Sequence, residues 1–303
     1  MTTVKHLISL MDWTPEQVLV LLDLAQEIKA HPEEFSTALE GKSLGMIFEK
    51  SSTRTRVSFE VGMTQLGGHA LFLTSQATQM GRGEPVRDTA SVLSRYVDGI
   101  MARTFSHEWV VELARYSHVP VINGLTDYLH PCQILADFQT VREHIGHLKG
   151  LELCYLGDGN NVAHSLINGA AKVGANIRVG CPEGYLPDAK LVERARREPT
   201  AGSILVTTNP VEAIAGAEVV YTDVWASMGQ EAEQKAREAV FAPFQVNGAL
   251  WKQTAKGAVF MHCLPAHRGE EVSAEICDGT MSVIYDQAEN RLHAQKALLV
   301  TLM

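Results

Sequence analysis

Cysteine is scarce: five residues, at positions 132, 154, 181, 263 and 277, in a chain of 303. No two are separated by only two residues, so neither a zinc ribbon nor a Cys-x-x-Cys redox pair is encoded. An odd, sparse set is what a reducing cytoplasm tolerates. Apolar runs of membrane-spanning length are also lacking. The first residues carry Lys5, His6, Asp12 and Glu16 and no apolar signal core. Basic residues are in deficit, 26 Lys and Arg against 35 Asp and Glu, a formal charge of -9. That balance argues against non-specific nucleic-acid binding. It leaves room for a small anion, because a local arginine cluster can bind one inside an acidic protein. Short-period repeats and low-complexity tracts are absent as well. The expectation is a cytoplasmic chain with neither a nucleic-acid nor a membrane partner.

What is present is a large apolar fraction, 46% of residues, and a regular alternation of patterns. The length suits two domains of about 150 residues each. Thr14, Pro15 and Gln17 form a capping-box start, followed by an apolar face at Val18, Leu21, Leu22, Ala25 and Ile28. Strands are expected at 44–48, 71–73, 100–102 and 119–122. Helices are expected after 56, at 106–116 and at 131–145, with another marked by Val92, Leu93, Tyr96 and Val97. A glycine-rich loop, 75–87, has Gly81 and Gly83 as its hinges. Lys149-Gly150 reads as a boundary. Beyond it come strands at 151–156, 177–179, 203–206, 219–222 and 259–261, helices at 162–173, 189–197 and 211–215, and a closing helix at 287–302. Strand–helix alternation throughout predicts α/β architecture: two doubly wound parallel-sheet domains with the active site between them. The expected division is 1–148 and 149–286, with helix 287–303 packing back on the first domain.

In such sheets ligands sit beyond the carboxyl ends of the strands, and the unusual polar clusters all follow expected strands. Ser51-Ser52-Thr53-Arg54-Thr55-Arg56 opens a helix, where unpaired backbone N–H groups and a partial positive charge favour an anion. Hydroxyls interleaved with arginines at one strand end point to anion binding rather than to simple capping. His130-Pro131-Cys132-Gln133 lies at another strand-to-helix turn, where His130 and Gln133 can project from the first helical turn toward one ligand. Arg103 follows the strand at 100–102. Asp223 and Ser227, four residues apart beside Met228-Gly229, can hold an amino-acid head group. His262-Cys263-Leu264-Pro265 places a thiol in a polar turn. Gly157-Asp158-Gly159-Asn160-Asn161-Val162 begins like a dinucleotide fingerprint. Val162 replaces the third glycine, and Cys181-Pro182 stands where a ribose-binding acid should fall. NAD binding is therefore rejected, and Asn160 and Asn161 are read as side-chain donors and acceptors.

Together these clusters resemble the aspartate/ornithine carbamoyltransferase family, over essentially the whole chain and in the family's order. Ser52-Thr53-Arg54-Thr55 is similar to its carbamoyl-phosphate motif and His130-Pro131-Cys132-Gln133 to its second motif. Asp223 with Ser227-Met228-Gly229, and His262-Cys263-Leu264-Pro265, look like the ornithine-binding segments. An aspartate-using member is expected to carry an arginine-bearing segment and His-Pro-Leu-Pro-Arg there. The resemblance implies that Ser52, Thr53, Arg54, Thr55, Gln79, Arg103, His130 and Gln133 bind carbamoyl phosphate, with Cys263, Leu264 and Arg291 completing the site. Asn161, Asp223, Ser227 and Met228 are implied to bind L-ornithine. Gln79 lies in Gln79-Met80-Gly81-Arg82-Gly83-Glu84, where relatives usually carry Leu at the place of Met80. The corresponding loop in this family reaches a neighbouring subunit's active site, which implies at least a homotrimer.

The catalytic assignments implied are Arg54, Thr55, Arg103, His130, Gln133, Asp223 and Cys263. Neither a cofactor nor a metal is expected, because carbamoyl phosphate is a mixed anhydride with its own leaving group. Two alternatives stand beside this reading: a non-enzymatic binding protein of two α/β lobes, and a carbamoyltransferase for another amine such as putrescine or an acylated ornithine.

Overall fold

The computed structural model describes residues 6–74, 83–226 and 234–303. Gln79, Ser227 and Met228 lie outside them. The chain divides into two compact units, 1–139 with 289–303, and 140–288.

In the first unit, helix α1 (Pro15–Ala30) starts on the full capping box between Thr14 and Gln17 and buries Val18, Leu21, Leu22, Ala25 and Ile28. Strand β1 (Ser43–Phe48), helix α2 (Thr53–Gln65), strand β2 (His69–Thr74), helix α3 (Val86–Leu93), strand β3 (Gly99–Arg103), helix α4 (His107–Tyr116) and strand β4 (Val121–Leu125) follow. Helix α5 (Pro131–His144) then carries the chain into the second unit. The sheet order is β2-β1-β3-β4, all parallel. After its first residue, β1 is buried at every position, which is why it reads as a continuous apolar run rather than an alternation. One layer of core joins Ile47, Ala90, Val97, Ile100, Ala102, Val110, Leu113 and Val121. Burying each of the large aliphatic side chains contributes roughly 1.5–3 kcal/mol.

Two elements differ from the expectation. Val92, Leu93, Tyr96 and Val97 do not share a helical face. Helix α3 ends at Leu93, the Ser94 hydroxyl turns back to the Ala90 carbonyl at 2.6 Å, and Tyr96 is 75% exposed in the turn that follows. Val97 is buried instead as the lead-in to β3. Strand β4 runs on through Asn123 and Gly124, residues of low strand propensity. Gly124 is needed there because a Cβ would lie 2.5 Å from Met101 Sδ.

The second unit repeats the plan: strand β5 (Glu152–Leu156), helix α6 (Asn161–Val173), strand β6 (Asn176–Gly180), helix α7 (Ala189–Arg196), strand β7 (Ile204–Thr207), helix α8 (Pro210–Ile214) and strand β8 (Val219–Thr222). Helices α9 (Gln234–Phe241) and α10 (Gly248–Trp251), strand β9 (Val259–His262) and helix α11 (Ala274–Cys277) complete it. The three helices α9, α10 and α11 were not anticipated. The sheet order is β7-β6-β5-β8-β9, again all parallel. Helix α12 (Ile284–Leu302) begins in this unit and returns the chain to the first. No described helix is long and apolar enough to cross a membrane.

Both sheets contain a switch point. From β1 the chain goes out to β2 on one side and β3 on the other. From β5 it goes to β6 on one side and β8 on the other. Adjacent loops then leave the sheet in opposite directions and open a crevice at the strand carboxyl ends. The crevices are bounded by the segments after β1 and β3 in one unit, and after β5 and β8 in the other.

Candidate active site

In the first unit, Ser52 caps α2, its hydroxyl accepting the Thr55 N–H at 3.2 Å. Thr53 and Arg54 occupy the exposed first turn, and Thr55 is buried. Across the switch point, Arg103 ends β3. Its Nη1 donates to Thr55 Oγ1 at 3.2 Å. From α12, Arg291 Nη2 donates to the same oxygen at 3.4 Å. Two guanidiniums thus occupy the hydroxyl's lone pairs, which leaves its proton as the donor Thr55 presents. Arg291, only 3% exposed, also donates through Nη1 to Gln133 Oε1 at 2.6 Å and through Nε to Gln295 Oε1 at 3.1 Å. Those three acceptors are neutral, so none of them cancels its charge. Gln133 Nε2 donates to Asp137 Oδ1 at 2.8 Å, which fixes the amide with its carbonyl on Arg291. The carbonyl has a second lone pair for a ligand.

His130 is buried just before α5. Burial, reinforced by Arg291, Arg103 and Arg54, holds its imidazole well below the usual histidine range, so the ring is neutral. Cys132, within the same motif, points inward with its thiol on the Asn123 carbonyl at 3.3 Å, and burial pushes it up to about 12. It is packing, not chemistry. Lys50, buried behind the motif, pairs with Asp127 and lies 4.4 Å over the Phe105 ring, so its charge is already spent on the loop. The arrangement as a whole is suited to an anion: a helix N-terminus, two buried guanidiniums on one hydroxyl, a neutral imidazole and an exposed arginine.

In the second unit, Asn160 caps α6. Its Oδ1 accepts from the Val162 and Ala163 amides at 2.9 and 3.2 Å, while Nδ2 donates to Asp223 Oδ2 at 2.8 Å. Asn161, the first helical residue, accepts the Ser165 hydroxyl on its carbonyl at 2.8 Å. Asp223, buried after β8, takes the Cys263 thiol on its other oxygen at 3.1 Å. Asp223 therefore holds two neutral donors and remains an acceptor for a cation. Asp158, beside it, pairs with Arg237, which also holds the Trp225 carbonyl. Burial raises the Asp158 carboxyl despite that arginine. Leu264 is half-buried, with φ at +59° ahead of a cis peptide to Pro265.

Asp223, His262 and Cys263 bring ligand atoms within 4.8 Å of one another, as do His267, Glu270 and Glu271. In the first group both His262 nitrogens are committed: Nε2 to Glu271 at 3.1 Å, Nδ1 to the Leu264 amide at 2.8 Å. In the second, Glu271 Oε1 is taken by His262 and by the His267 amide. The first group, with both imidazole nitrogens taken, is not arranged as a ready metal site.

Of the expected residues, Ser52, Thr55, Arg103, Gln133 and Arg291 lie in one hydrogen-bonded set with neutral His130 adjoining, and Arg54 and Thr53 on its exposed rim. Asp223 and Cys263 meet in the other unit. Asn161 sits beside Asn160, which is the residue that touches Asp223. Sequence reading gave no particular role to Asp137, Gln295, Glu271 or Arg237. The first two lie four residues beyond Gln133 and Arg291, so helical spacing could have found them.

Two doubly wound units, one gathering arginines and hydroxyls fit for an anion and the other a carboxylate and thiol fit for an amine, suit a phosphate-ligand and amino-group chemistry. Family profiles match both: the aspartate/ornithine carbamoyltransferase carbamoyl-P binding domain over residues 5–143 and the Asp/Orn binding domain over 149–302. The chain belongs to the aspartate/ornithine carbamoyltransferase family. It is 57% identical over 303 residues to the ornithine carbamoyltransferase of Carboxydothermus hydrogenoformans, covering 99% of this chain and 97% of that one. Among solved structures, ornithine carbamoyltransferase from Pyrococcus furiosus superposes with a TM-score of 0.95 at 53% identity, covering 99% of this chain and 97% of that one. The Thermus thermophilus enzyme of the same name gives 0.90 at 46%, with 99% of each chain covered.

Proposed function

We propose that the chain transfers the carbamoyl group of carbamoyl phosphate to the side-chain amine of L-ornithine, giving L-citrulline and phosphate. The observation that carries this reading is the Asp223–Cys263 pair, a buried carboxylate where the acceptor amino acid is expected. Such a group attracts an ammonium-bearing side chain and repels the carboxylate of aspartate, which separates the two branches of the family.

The nucleophile is the difficulty, since an alkyl amine has a pKa near ~10.4 and is mostly protonated at neutral pH. Partial burial favours its neutral form, and Asp223 and Cys263 orient the nitrogen. The amine attacks the carbamoyl carbon and a C–N bond forms. Charge develops on the carbonyl oxygen, where the Thr55 hydroxyl, Arg103 and His130 are the donors; one such donor supplies roughly 3–4 kcal/mol. Being neutral, His130 donates from one nitrogen without adding a positive charge. The second lone pair of Gln133 Oε1 accepts from the carbamoyl nitrogen. The C–O bond to phosphate then breaks, Arg54 and the α2 N-terminus take the departing anion, and the phosphate carries away the amine proton. The anhydride supplies the leaving group, so no step calls for a cofactor, and no protein base is assigned. Ser52, Thr53, Gln79, Leu264 and Arg291 complete the carbamoyl-phosphate set, and Asn161, Ser227 and Met228 the ornithine set.

Transfer from a mixed anhydride to an amine runs downhill, which supports the biosynthetic direction toward arginine. Five free cysteines fit a cytoplasmic setting. Exposed Val57 and Val61, one turn apart on α2, and Leu71 on the edge strand β2 support a homotrimer. Light scattering tests it: a monomer mass at working concentration sinks the trimer. For the reaction, the pure protein is given carbamoyl phosphate with ornithine, putrescine, N-acetylornithine or aspartate. Citrulline from ornithine, with little product from the others, is expected; no citrulline would overturn the reading.

A further inference from the structure

Cys263 stands between two residues held by one imidazole. The His262 backbone N–H donates to Gln287 Oε1 at 2.9 Å, and Gln287 Nε2 donates on to the Tyr221 hydroxyl at 3.0 Å. On the far side of the cysteine, the Leu264 N–H donates to His262 Nδ1 at 2.8 Å. A nitrogen that accepts an amide proton carries none of its own, so the His262 proton is on Nε2. It is donated to Glu271 Oε1 at 3.1 Å. The same oxygen accepts the His267 amide at 2.6 Å. Both side chains are fully buried.

A carboxylate so placed needs a reason. Burial opposes its charge, but the His262 ring and the His267 amide outweigh that and hold Glu271 below the usual carboxylate range. The charged oxygen locks the imidazole in one tautomer, and that tautomer presents Nδ1 to Leu264. Leu264 is in the left-handed region, φ +59°, where a branched side chain does not settle unaided.

We propose that Glu271 and His262 are positioning residues that clamp the backbone on both sides of Cys263 and so deliver its thiol to Asp223. Neither touches substrate; they act through the Cys263–Asp223 contact at 3.1 Å. The inference rests on the reading that this pair receives the acceptor amine.

The test uses the full-length chain and two readouts. Glu271→Ala removes the acceptor for His262 and is expected to raise the KM for ornithine about tenfold, with the affinity for carbamoyl phosphate kept. Glu271→Gln retains an acceptor oxygen and is expected to restore most of that loss. The second readout needs no substrate. Cys263 is half-buried while the other four cysteines are buried, so iodoacetamide followed by peptide mass spectrometry reports on its thiol. In Glu271→Ala its alkylation rate should shift by roughly threefold or more as the contact with Asp223 loosens. A folded Glu271→Ala protein with wild-type alkylation and wild-type ornithine KM overturns the proposal, as does an equal loss of affinity for both substrates. Should the alanine protein not fold, Glu271→Asp withdraws the carboxylate by one methylene and is expected to show the same two shifts; their absence there overturns it equally. If the wild-type chain makes no citrulline, the functional reading has failed, while the alkylation comparison still decides whether the clamp exists.

Discussion

Arg54 is exposed at the first turn of α2, while Thr55, one position on, is buried beneath two guanidiniums. Removing Arg54 therefore leaves the packing alone. Arg54→Gly is expected to lower turnover by about 10²–10³ with an unchanged melting temperature. Wild-type kinetics at limiting carbamoyl phosphate would remove it from the site. His130 behaves differently, because its folded pKa lies well below the value of ~6.5 that it takes in the unfolded chain. Between those two values the unfolded chain binds the extra proton. The contribution is intact above about pH 6.5 and is lost as the pH falls from there toward the folded pKa. Thermal unfolding from pH 7.5 downward should thus be steeper for wild type than for His130→Gln. Equal slopes would mean that the imidazole is not held neutral by this surrounding.

Helix α6 begins on Asn160, whose side chain caps the helix with its oxygen and steadies Asp223 with its nitrogen. Two substitutions separate the roles. Asn160→Ala loses both, and should lower stability by about 1 kcal/mol. Asn160→Ser keeps a capping oxygen but no amide to reach Asp223, so its melting temperature should stay near wild type. Both should raise the ornithine KM by about tenfold. An unchanged KM in both would show that Asp223 holds its place unaided. This cap illustrates what the sequence makes legible. Strand ends and helix starts were readable because Pro131, the Thr14–Gln17 box and the Ser52 cap act locally. Residues 92–97 misled, since an apolar spacing of three and four arose from a turn feeding a strand. Helix α9 escaped because its apolar residues are split between exposed positions, Ala236, Ala239 and Val240, and buried Phe241, beside a buried Arg237, so the sequence shows no clean apolar face. Arg291 offers no local signal at all: it lies mid-helix, and its partners Thr55 and Gln133 are assembled by the fold.

Over the whole chain the formal charge is -9, yet the first unit gathers arginines and the second holds the Asp223 carboxylate against the Cys263 thiol. On the proposed function, carbamoyl phosphate would bring negative charge to the first set, and that charge would favour a cationic second substrate. Ornithine should therefore bind tightly only after it. With an unreactive carbamoyl-phosphate analogue present, calorimetry should show ornithine binding strengthened by about tenfold or more. Equal affinity with and without the analogue would mean that the two substrates bind independently. The position of Arg291 has a consequence during synthesis. It follows Gln133 by 158 residues and Thr55 by 236. A chain emerging from the ribosome carries the whole 51–56 motif early, and its N-terminal portion can begin to fold. The guanidinium that holds Thr55 and Gln133, and with it the proposed grip on an anion, is missing until translation has passed position 291. Stalled fragments that end sooner hold the recognisable motif without the guanidinium proposed to complete it, so on this reading the cell's pool of the phosphorylated substrate is open only to chains that have been read well into their last helix.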